Sequence, residues 1–458
     1  MANYSWPVWP VNWGDAMSPL LEQFYNLILS LMGPDGLSRL FYMLFPLFLV
    51  FELPLMVMVM LGVLRWFTRR RTRVPKISVY RPRVSCIITC YSEGMDVQTT
   101  LLSLCEQTYP GHIEMIPVVD GATVNQATLS AVRSFNVDPQ LYPRRHLRPI
   151  AKWQRGGRVS SLNAGLSLAS GEIVMALDGD TSFDNNMVGS IVRHFEDPSV
   201  PAVAGSLRVR NVWASWVTAM QALEYLLSIH MSKIGLSEWN LVNNVSGAFG
   251  AFRRSFLVKI GGWNTHTAED LDLTLRIKSY FKRHDLRIPF EPEAVGHTDA
   301  PKTLREFLMQ RLRWDGDLYF LYIRKHNHNI DPKLLGWRTF VMILLTGFFF
   351  QLVLPFLIFS YTLLALFILP GKTLLFLFAL VYLLYLMITA LLFFAMLVMV
   401  SDRPRQDMTL GLLVPLFPLF MLILRCWSAV AMLNEMFRRG HEESSMAPWW
   451  VLKRATRF

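Results

Sequence analysis

Residues 310–314 read Gln-Arg-Leu-Arg-Trp and bring together three side chains that suit one kind of chemistry. The planar guanidinium of Arg313 can bind a diphosphate through two parallel hydrogen bonds. The indole of Trp314 offers a flat face to a sugar ring, and the carboxamide of Gln310 can orient hydroxyl groups. The set suits transfer of a sugar from a nucleotide diphosphate, although such a sequence is also typical of a basic amphipathic helix at a membrane surface.

Acidic residues follow two apolar segments upstream of this motif. Asp120 comes after residues 113–119, and Asp178 and Asp180 come after residues 173–177. Both segments read as buried strands, and ligands of open α/β sheets bind at the carboxyl ends of strands. The Asp-Gly-Asp spacing also occurs in solvated turns, but at a strand end it supplies the carboxylate oxygens that a phosphate-bridging cation needs. We therefore expect a divalent-cation site there.

A third acidic pair, Glu269-Asp270, precedes a helix-like segment at residues 271–280. Acids are favoured in the first turn of a helix by the backbone dipole, which is the simplest explanation for the pair. Sugar transfer with inversion also needs a base that takes the proton of the acceptor hydroxyl, and a carboxylate beside the sugar suits this role. Asp270 is the predicted base, with Glu269 next to it.

The elements that must position these residues form an α/β domain. Short apolar segments alternate with helical patterns, which predicts a parallel sheet with crossover helices. The predicted strands are residues 84–89, 113–119 and 173–177, and the predicted helices are residues 98–107 and 160–169. This arrangement would gather the acids at one edge of the sheet.

The composition is that of a membrane protein with one soluble domain. Hydrophobic residues make up 52% of the 458 residues and charged residues 17%. Residues 339–371 and 373–401 carry no charge, and each stretch exceeds the roughly 20 residues needed to cross the hydrocarbon. Residues 41–67 are almost entirely apolar and lead into the basic cluster at 69–73. They predict a retained anchor whose basic flank, and hence the soluble domain, faces the cytosol.

Charge and cysteine content agree with this placement. The four cysteines form neither a disulfide framework nor a metal motif, so we expect free thiols. The net charge of +11 comes largely from basic residues that crowd at membrane flanks. Anionic lipid headgroups of the bilayer, and not nucleic acid, are the expected partner of this charge.

Two segments leave the topology open. Residues 20–32 are apolar but short, which favours an interfacial helix over half of a hairpin. Residues 408–434 contain Pro415, Pro418 and Arg425 and fit either a third crossing or a kinked, re-entrant segment. The predicted organisation is an N-terminal segment (1–36), an anchor with its basic flank (37–75), a catalytic domain (81–300), interface helices (301–337), a C-terminal membrane region (338–435) and a basic tail (436–458).

The order of these motifs resembles the processive membrane glycosyltransferases of family 2, which include cellulose, chitin, hyaluronan and poly-N-acetylglucosamine synthases. The resemblance covers nearly the whole chain. It implies a cytosolic α/β domain of the GT-A, Rossmann-like type, inserted between N-terminal and C-terminal transmembrane helices of the inner (plasma) membrane. It also implies Mg²⁺ or Mn²⁺ as cofactor, a UDP-sugar as donor and a growing polysaccharide as acceptor.

The resemblance further implies roles for individual positions. The donor nucleotide would contact Tyr91, which would stack on uracil, and Glu93, Asp120, Arg158, Asp178 and Arg313. The metal would be held by Asp178 and Asp180, the acceptor or product by Gln310, Trp314, Ser246 and Gly247, and the proton by Asp270 beside Glu269. Four residues depart from the family's pattern: Arg158 stands where relatives usually have lysine, Thr89 where proline is frequent, Ser92 where asparagine is frequent, and Ala268 where the acidic motif has threonine.

Residues 205–211, 221–225 and 245–255 are most similar to bacterial poly-N-acetylglucosamine synthases. This favours UDP-N-acetylglucosamine as donor, with UDP-glucose as the alternative, and by analogy suggests a small membrane subunit as partner. The resemblance implies an inverting, processive enzyme that exports a β-linked polymer through its own channel. A non-processive transferase that makes a glycolipid, as ceramide glucosyltransferases do, and a catalytically silent receptor or scaffold are the two alternatives.

Overall fold

The computed structural model describes residues 36–72, 79–264 and 267–440, with side chains from residue 52 onward. The described residues fall into two compact units. One comprises residues 36–56 and 360–380, and the other comprises the remaining described residues from 57 to 359 and from 381 to 440. The second unit contains the whole sheet and every predicted site residue, so the site is described within that unit alone.

A nine-stranded sheet forms the centre of the second unit. Its strands are β1 Val84–Cys90, β2 Ile113–Asp120, β3 Arg145–Leu147, β4 Ile150–Lys152, β5 Ile173–Asp178, β6 Ser182–Phe183, β7 Ala202–Val209, β8 Phe249–Arg253 and β9 Phe290–Thr298. The strand order is β3-β2-β1-β5-β8-β7-β9-β6, and β4 also pairs with β2. Every residue of β1 and β2 is buried, as expected for strands covered on both faces.

Helices connect and cover the strands. They are α1 Gly36–Thr72, α2 Asp96–Cys105, α3 Gln126–Ser134, α4 Gly157–Leu168, α5 Met187–Val192, α6 Trp216–Glu224, α7 Ser232–Glu238, α8 Arg254–Lys259, α9 Glu269–Lys278, α10 Leu304–Tyr319, α11 Pro332–Leu335, α12 Trp337–Ile343, α13 Leu354–Ile368, α14 Gly371–Ala395, α15 Pro404–Asp407 and α16 Phe417–Arg438. Wider π-helical turns occupy Tyr225–Met231, Phe320–Lys325, Leu344–Val353 and Met396–Val400, and 3₁₀ turns occupy Arg193–Glu196, Val212–Ala214 and Met408–Leu413.

The three predicted strands are confirmed, and each is one residue longer than its apolar segment. The two predicted helices are also present, displaced toward the N-terminus as α2 and α4. The carboxyl ends of β1, β2 and β5 meet at one edge, because these strands run parallel and Thr89 lies opposite Asp178 in the register. The predicted gathering of acids at this edge follows from that pairing.

The expectation of a wholly parallel sheet is wrong for β8. This strand runs antiparallel to both β5 and β7, with Phe249 opposite Leu177 and Arg253 opposite Ile173. The chain reaches β8 from residues 243–248, which already lie at the carboxyl end of β5, so β8 can only run back through the sheet. The sheet is therefore mixed, and the reversal places residues 243–248 beside the acids.

Three helices in the described part of the chain are long and apolar enough to cross a membrane: Trp337–Ile368, Gly371–Val400 and Phe417–Arg438. The first two correspond to the uncharged stretches found in the sequence. In the third, Pro418 lies in the first turn, where proline leaves no intrahelical hydrogen bond unmade. The segment at residues 20–32 lies outside the described residues, and the membrane crossing of residues 41–67, which lie within α1, stays a prediction.

Helix α10 carries the Gln-Arg-Leu-Arg-Trp motif and has a well-defined start. The Thr303 hydroxyl accepts a hydrogen bond from the backbone of Glu306, whose carboxylate accepts one from the backbone of Thr303, each at 3.3 Å. This reciprocal cap satisfies two N–H groups that a helix start leaves without partners. Along its length α10 packs against α16, and Trp427 Nε1 donates to the carbonyl oxygen of Leu308 at 2.8 Å. The motif is thus held on a firmly anchored helix.

Candidate active site

Arg158, in the first turn of α4, is the centre of the site. Its Nε donates to Glu269 Oε1 at 2.5 Å, its Nη1 to Thr89 Oγ1 at 2.8 Å, and its Nη2 to the carbonyl oxygen of Gly247 at 2.5 Å. The Nη1 group also forms an ion pair with Asp178. One guanidinium therefore links the end of β1, the end of β5, the turn before β8 and the start of α9. Its planar fork of donors makes this geometry possible.

Arg158 and Glu269 shift each other's pKa values. Burial alone would lower the pKa of Arg158, but the carboxylates of Asp178 and Glu269 outweigh burial and raise it. Burial raises the pKa of Glu269, and Asp270 adds to this effect, whereas Arg158 opposes it. Glu269 is only 7% exposed and pairs with Arg158, and its catalytic role beside Asp270 stays a prediction.

Asp270 differs from its neighbour because it is only half-buried. Its Oδ2 accepts hydrogen bonds from Asn244 Nδ2 at 3.0 Å and from the backbone N–H of Gly247 at 3.1 Å. Its Oδ1 accepts one from the backbone N–H of Leu271 at 2.7 Å. The carboxylate is thus fixed in orientation at the start of α9 while part of it stays accessible. A side chain held in this way is suited to receive a proton from a bound hydroxyl.

Gly247 is required for this close packing. A Cβ atom at this position would lie 2.9 Å from Glu269 Oε1, a distance that real Cβ atoms essentially never show. Its backbone contacts both Arg158 and Asp270, since the carbonyl accepts from Arg158 and the N–H donates to Asp270. The adjacent Ser246 is half-buried. Of the four residues predicted to contact the acceptor, Gly247 therefore lies directly against the acid pair, and Ser246 is next to it in the chain.

The Asp-Gly-Asp turn after β5 concentrates negative charge. Burial and the nearby Asp178 raise the pKa of Asp180, and burial raises the pKa of Glu93 to about 7, with both aspartates adding to that rise. Glu93 Oε2 is buried and accepts no hydrogen bond from the described residues. Such excess negative charge fits a divalent cation. Within the described residues no three His, Cys, Asp or Glu side chains are arranged as a metal site, and the binding of a cation by Asp178 and Asp180 stays a prediction.

Both carboxylate oxygens of Asp120, at the end of β2, accept hydrogen bonds from protein groups. Its Oδ1 accepts from Lys152 Nζ at 2.7 Å and from the backbone of Gly156 at 2.9 Å, and its Oδ2 accepts from the backbone of Gly157 at 2.8 Å. The carboxylate therefore fastens the start of α4, and with it Arg158, to the sheet. Its placement at the sheet edge is as predicted, and its contact with a nucleoside stays a prediction.

Tyr91, just after β1, presents a ring that is 40% exposed. The guanidinium carbon of Arg155 lies 4.1 Å from the centroid of this ring, a stacked cation–π contact. The Tyr91 ring can therefore carry a flat partner on its face, which is the property that a base-stacking residue needs.

The motif on α10 makes fewer contacts with the other predicted site residues. Trp314 is 37% exposed, and Arg311 stacks over its ring at 4.7 Å while pairing with Glu224 at 2.6 Å. Gln310 Oε1 is buried and has no hydrogen-bond partner among the described residues. No ion pair of Arg313 is found within the described part of the chain. The structure thus brings together Asp178, Glu269, Asp270, Arg158 and Gly247 by direct bonds or through one shared residue. Among the described residues, no hydrogen bond or ion pair joins Gln310, Arg313 or Trp314 to this network.

Comparison with known protein families identifies the family of the chain. The sequence model for "Glycosyltransferase like family 2" matches residues 82–316, which is just over half of the chain and contains every predicted site residue. The chain belongs to this family. The matched region has a GT-A-like glycosyltransferase fold with a mixed sheet, and the resemblance inferred from the motifs is confirmed.

Among curated proteins this glycosyltransferase is similar to poly-β-1,6-N-acetyl-D-glucosamine synthases. It is 29% identical to the enzyme of Staphylococcus epidermidis over 255 residues, which cover 55% of this chain and 58% of that protein. It is 29% identical to the enzyme of Staphylococcus aureus (strain COL) over 232 residues, which cover 50% of this chain and 53% of that protein. The chain thus spans little more than half the length of the curated relatives it matches.

Two solved transferases show some structural similarity. One is the mannosyltransferase PcManGT from Pyrobaculum calidifontis in complex with GDP-Man and Mn²⁺, with a TM-score of 0.48, 18% identity and coverage of 85% of this chain and 99% of that one. The other is GalNAc-T7 with UDP, GalNAc and Mn²⁺, with a TM-score of 0.36, 13% identity and coverage of 54% and 51%.

Sequence reasoning missed several residues that shape the glycosyltransferase site. They are Lys152, which pairs with Asp120, Arg155, which stacks on Tyr91, Asn244, which binds Asp270, and Arg311, which stacks on Trp314. Arg311 lies inside the motif and could have been noted there. The other three are single polar residues outside any acidic motif, and only the tertiary pairing of distant segments gives them a role.

Proposed function

We propose that this glycosyltransferase is an inverting, processive membrane enzyme that polymerises a UDP-activated sugar into a β-linked polysaccharide. The observation that carries the proposal is the continuous network from Asp178 through Arg158 to Glu269, with Asp270 joined to it through Gly247. It supports the proposal because it joins the turn that would bind the diphosphate to the half-buried carboxylate that would act as base. Sugar transfer needs both of these groups at the two ends of the reacting bond.

Asp270 would act as the base. The acceptor hydroxyl would give its proton to the carboxylate as its oxygen attacks the anomeric carbon of the donor. The new carbon–oxygen bond forms on the face opposite the diphosphate, the old one breaks, and its electron pair leaves with UDP, so the configuration inverts. Hydrogen bonds from Asn244 and Gly247 hold the carboxylate in place during this step.

Asp180 and Asp178 would hold Mg²⁺ or Mn²⁺. The raised pKa of Asp180, caused by burial and by the charge of Asp178, supports this assignment, because a cation would relieve the repulsion between them. Bound there, the cation would offset the charge of the donor diphosphate and of the leaving UDP. Arg313 on α10 would add a bidentate contact to the same diphosphate.

The UDP part of the donor would stack on Tyr91 and approach Glu93, Asp120 and Arg158. Asp120 would act mainly by fixing α4, since its oxygens are occupied within the protein. N-acetylglucosamine is the sugar that we favour, with glucose as the alternative, because the relatives at 29% identity are named for polymers of N-acetylglucosamine. Gln310, Trp314, Ser246 and Gly247 would contact the acceptor chain.

The apolar helices of the C-terminal half support an enzyme embedded in the inner (plasma) membrane, with its catalytic domain in the cytosol. We propose the organisation outlined from the sequence: an anchor at 37–75 after the segment 1–36, a catalytic domain at 81–300, interface helices at 301–337, a membrane region at 338–435 and a basic tail at 436–458. Several spanning helices, where one would suffice as an anchor, are consistent with export of the polymer through a channel. The lipid bilayer and a small membrane subunit would be its partners.

The test uses the full chain in lipid nanodiscs with UDP-N-acetylglucosamine or UDP-glucose and Mg²⁺ or Mn²⁺. UDP release is measured, the product is sized, and its linkage is read by digestion with specific glycosidases. Polymer from one donor, abolished by Asp270→Asn while UDP binding persists, is the expected result. A short or lipid-linked product would favour the non-processive glycolipid enzyme, and absence of any transfer would point to a silent scaffold or receptor.

A further inference from the structure

Asp317 joins the motif helix to the acid pair. It lies in the last turn of α10, one helical turn after Arg313, and is 6% exposed. Its carboxyl group forms a hydrogen bond with the hydroxyl of Thr267, which is 4% exposed and precedes Glu269 by two residues. Among the hydrogen bonds of the described residues, this contact ties α10 directly to the turn that begins α9.

The turn that begins α9 needs such support. Ala268 has φ +44° and ψ +46°, a left-handed conformation that residues with a Cβ atom rarely adopt. On the far side of Ala268, Asp270 is held by the Asn244 side chain and by the Gly247 backbone. On the near side, the bond from Thr267 to Asp317 holds the chain. The two contacts together fix the direction in which the acid pair points.

The surroundings of Asp317 favour its neutral form. Burial raises the pKa of Asp317 to about 8, and the charges of Glu435 on α16 and Glu269 on α9 add to the rise. The hydrogen bond from Thr267 and the positive charge of Arg313 act in the opposite direction. At neutral pH Asp317 is therefore an uncharged acid that accepts the Thr267 hydrogen bond without bringing a further charge beside Glu269.

We infer that Asp317 is a positioning residue, which through Thr267 sets the acid pair relative to the donor-binding and acceptor-binding side chains of α10. Among the described residues Asp317 forms no hydrogen bond with Glu269 or Asp270, so it would act by alignment through Thr267. The inference rests on the proposed function, because alignment of Asp270 matters only if that carboxylate is the base. It predicts that breaking the bond slows the chemical step more than it weakens donor binding.

The experiment compares Thr267→Val, Asp317→Ala and Asp317→Asn with the wild-type chain in nanodiscs. Thr267→Val preserves shape and removes only the hydroxyl, so it serves even if Asp317→Ala does not fold. We expect Thr267→Val and Asp317→Ala to lower kcat by roughly ten- to a hundredfold, with the donor KM changed by less than about threefold. Asp317→Asn, which keeps a neutral hydrogen-bonding group of the same shape, should retain most of the activity.

Ser428→Ala is the matched control. Ser428 Oγ donates to Asp315 Oδ2 at 2.7 Å, so this variant also removes one hydroxyl–carboxyl bond of α10, which is half-buried and involves a residue other than Asp317. Its kcat should stay within about twofold of wild type. An equal loss in Ser428→Ala and Thr267→Val would mean that the bond to Thr267 is merely structural, and it would overturn the inference.

The pH profile provides a second readout. Above about pH 8 Asp317 ionises and brings a buried charge beside Glu269, so wild-type activity should fall on the alkaline side. Asp317→Asn cannot ionise, and its alkaline fall should be absent or displaced upward by more than one pH unit. An unchanged profile in Asp317→Asn, or unchanged kcat in Thr267→Val, would overturn the inference while leaving transfer by the wild type intact. Failure of the wild type to transfer any sugar would instead overturn the proposed function, and the inference with it.

Discussion

Arg158 and Glu269 form a buried ion pair, with Arg158 Nε 2.5 Å from Glu269 Oε1, that connects two helices separated by more than a hundred residues of sequence. The same guanidinium pairs with Asp178, so the two acids share one cation and neither is left uncompensated in the interior. The resemblance to family relatives places a lysine at this position. Arginine instead provides several donors in fixed directions, which explains how one side chain also reaches Thr89 and the carbonyl of Gly247.

Arg158→Lys should therefore impair the enzyme despite its unchanged charge. A lysine ammonium is a point charge that cannot reach four acceptors in these directions, so we expect transfer to fall by roughly tenfold or more. Arg158→Ala should be worse, because it leaves Glu269 buried without a partner and should cost about 3–5 kcal/mol in the free energy of unfolding. Initial rates of UDP release and denaturant unfolding in detergent measure the two effects.

Arg148→Ala is the control for charge removal. Arg148 lies 3.6 Å from Glu114 and is half-exposed, so its loss should change the free energy of unfolding by no more than about 1 kcal/mol. Full activity in Arg158→Lys would show that a positive charge is sufficient at this position. The directed hydrogen bonds would then have no catalytic importance.

Gly247→Ala tests the close approach of the acid pair to the turn before β8. The added methyl would lie 2.9 Å from Glu269 Oε1, so either the turn or the carboxylate must shift. Because the N–H of Gly247 also holds Asp270, we expect kcat to fall by roughly ten- to a hundredfold. Gly189→Ala is the matched control, since a methyl there meets no atom within 4 Å in helix α5, where alanine is favoured over glycine. Equal kinetics in the two variants would mean that the turn tolerates the shift.

The strands and helices that depend on local hydrophobic pattern could be predicted from the sequence. The strands β1, β2 and β5 are mostly apolar segments, and β2 and β5 end in Asp120 and Asp178, so the site edge could be predicted. The uncharged stretches predicted two of the candidate spanning helices for the same reason. The direction of β8 could not be predicted, because five residues give no information on which way a strand enters a sheet.

The roles of individual polar residues were harder to predict. The contact of Asp120 with the nucleotide stays a prediction, and its bonds to Lys152 and to the start of α4 were not predicted. Asn244 and Asp317 belong to none of the motifs found in the sequence. Only the fold brings Asn244 to Asp270 and Asp317 to Thr267. Long-range hydrogen bonds of this kind depend on the relative placement of elements, about which a single sequence says little.

His230 gives a pH-dependent prediction for stability. It is fully buried beneath the sheet, with Nδ1 2.5 Å from Ser206 Oγ, and burial lowers the pKa of His230 to about 3. In the unfolded chain His230 binds a proton near pH 6.5, whereas in the folded chain it stays neutral until about pH 3. This residue therefore lowers the free energy of unfolding as pH falls from about 6.5 to 3. The expected slope is about 1.4 kcal/mol per pH unit, and it vanishes above pH 7.

His230→Gln should remove this contribution, since glutamine does not titrate. Urea unfolding of the two chains between pH 4.5 and 7.5, followed by tryptophan fluorescence, would measure the difference in the free energy of unfolding. The gap between wild type and variant should narrow, in favour of the variant, as pH falls below about 6.5. A constant gap across this range would mean that His230 can be protonated in the folded protein.

Arg208 and Asp407 form the last relationship to be tested. Arg208 lies in β7, and its side chain pairs with both oxygens of Asp407 in α15 at 3.0 and 3.2 Å. Each of the two residues is less than a tenth exposed. Ser401 adds a hydrogen bond to the same carboxylate at 2.5 Å. This ion pair therefore fastens the catalytic sheet to the segment between the two last candidate spanning helices.

Arg208→Met should cost about 3–5 kcal/mol in the free energy of unfolding, because it leaves Asp407 buried and unpaired. The double variant Arg208→Met/Asp407→Leu should recover most of that loss, since two packed apolar side chains can replace a buried ion pair at little cost. A double-mutant cycle on thermal unfolding gives the coupling energy, and additive losses would show that the two residues stabilise the protein independently.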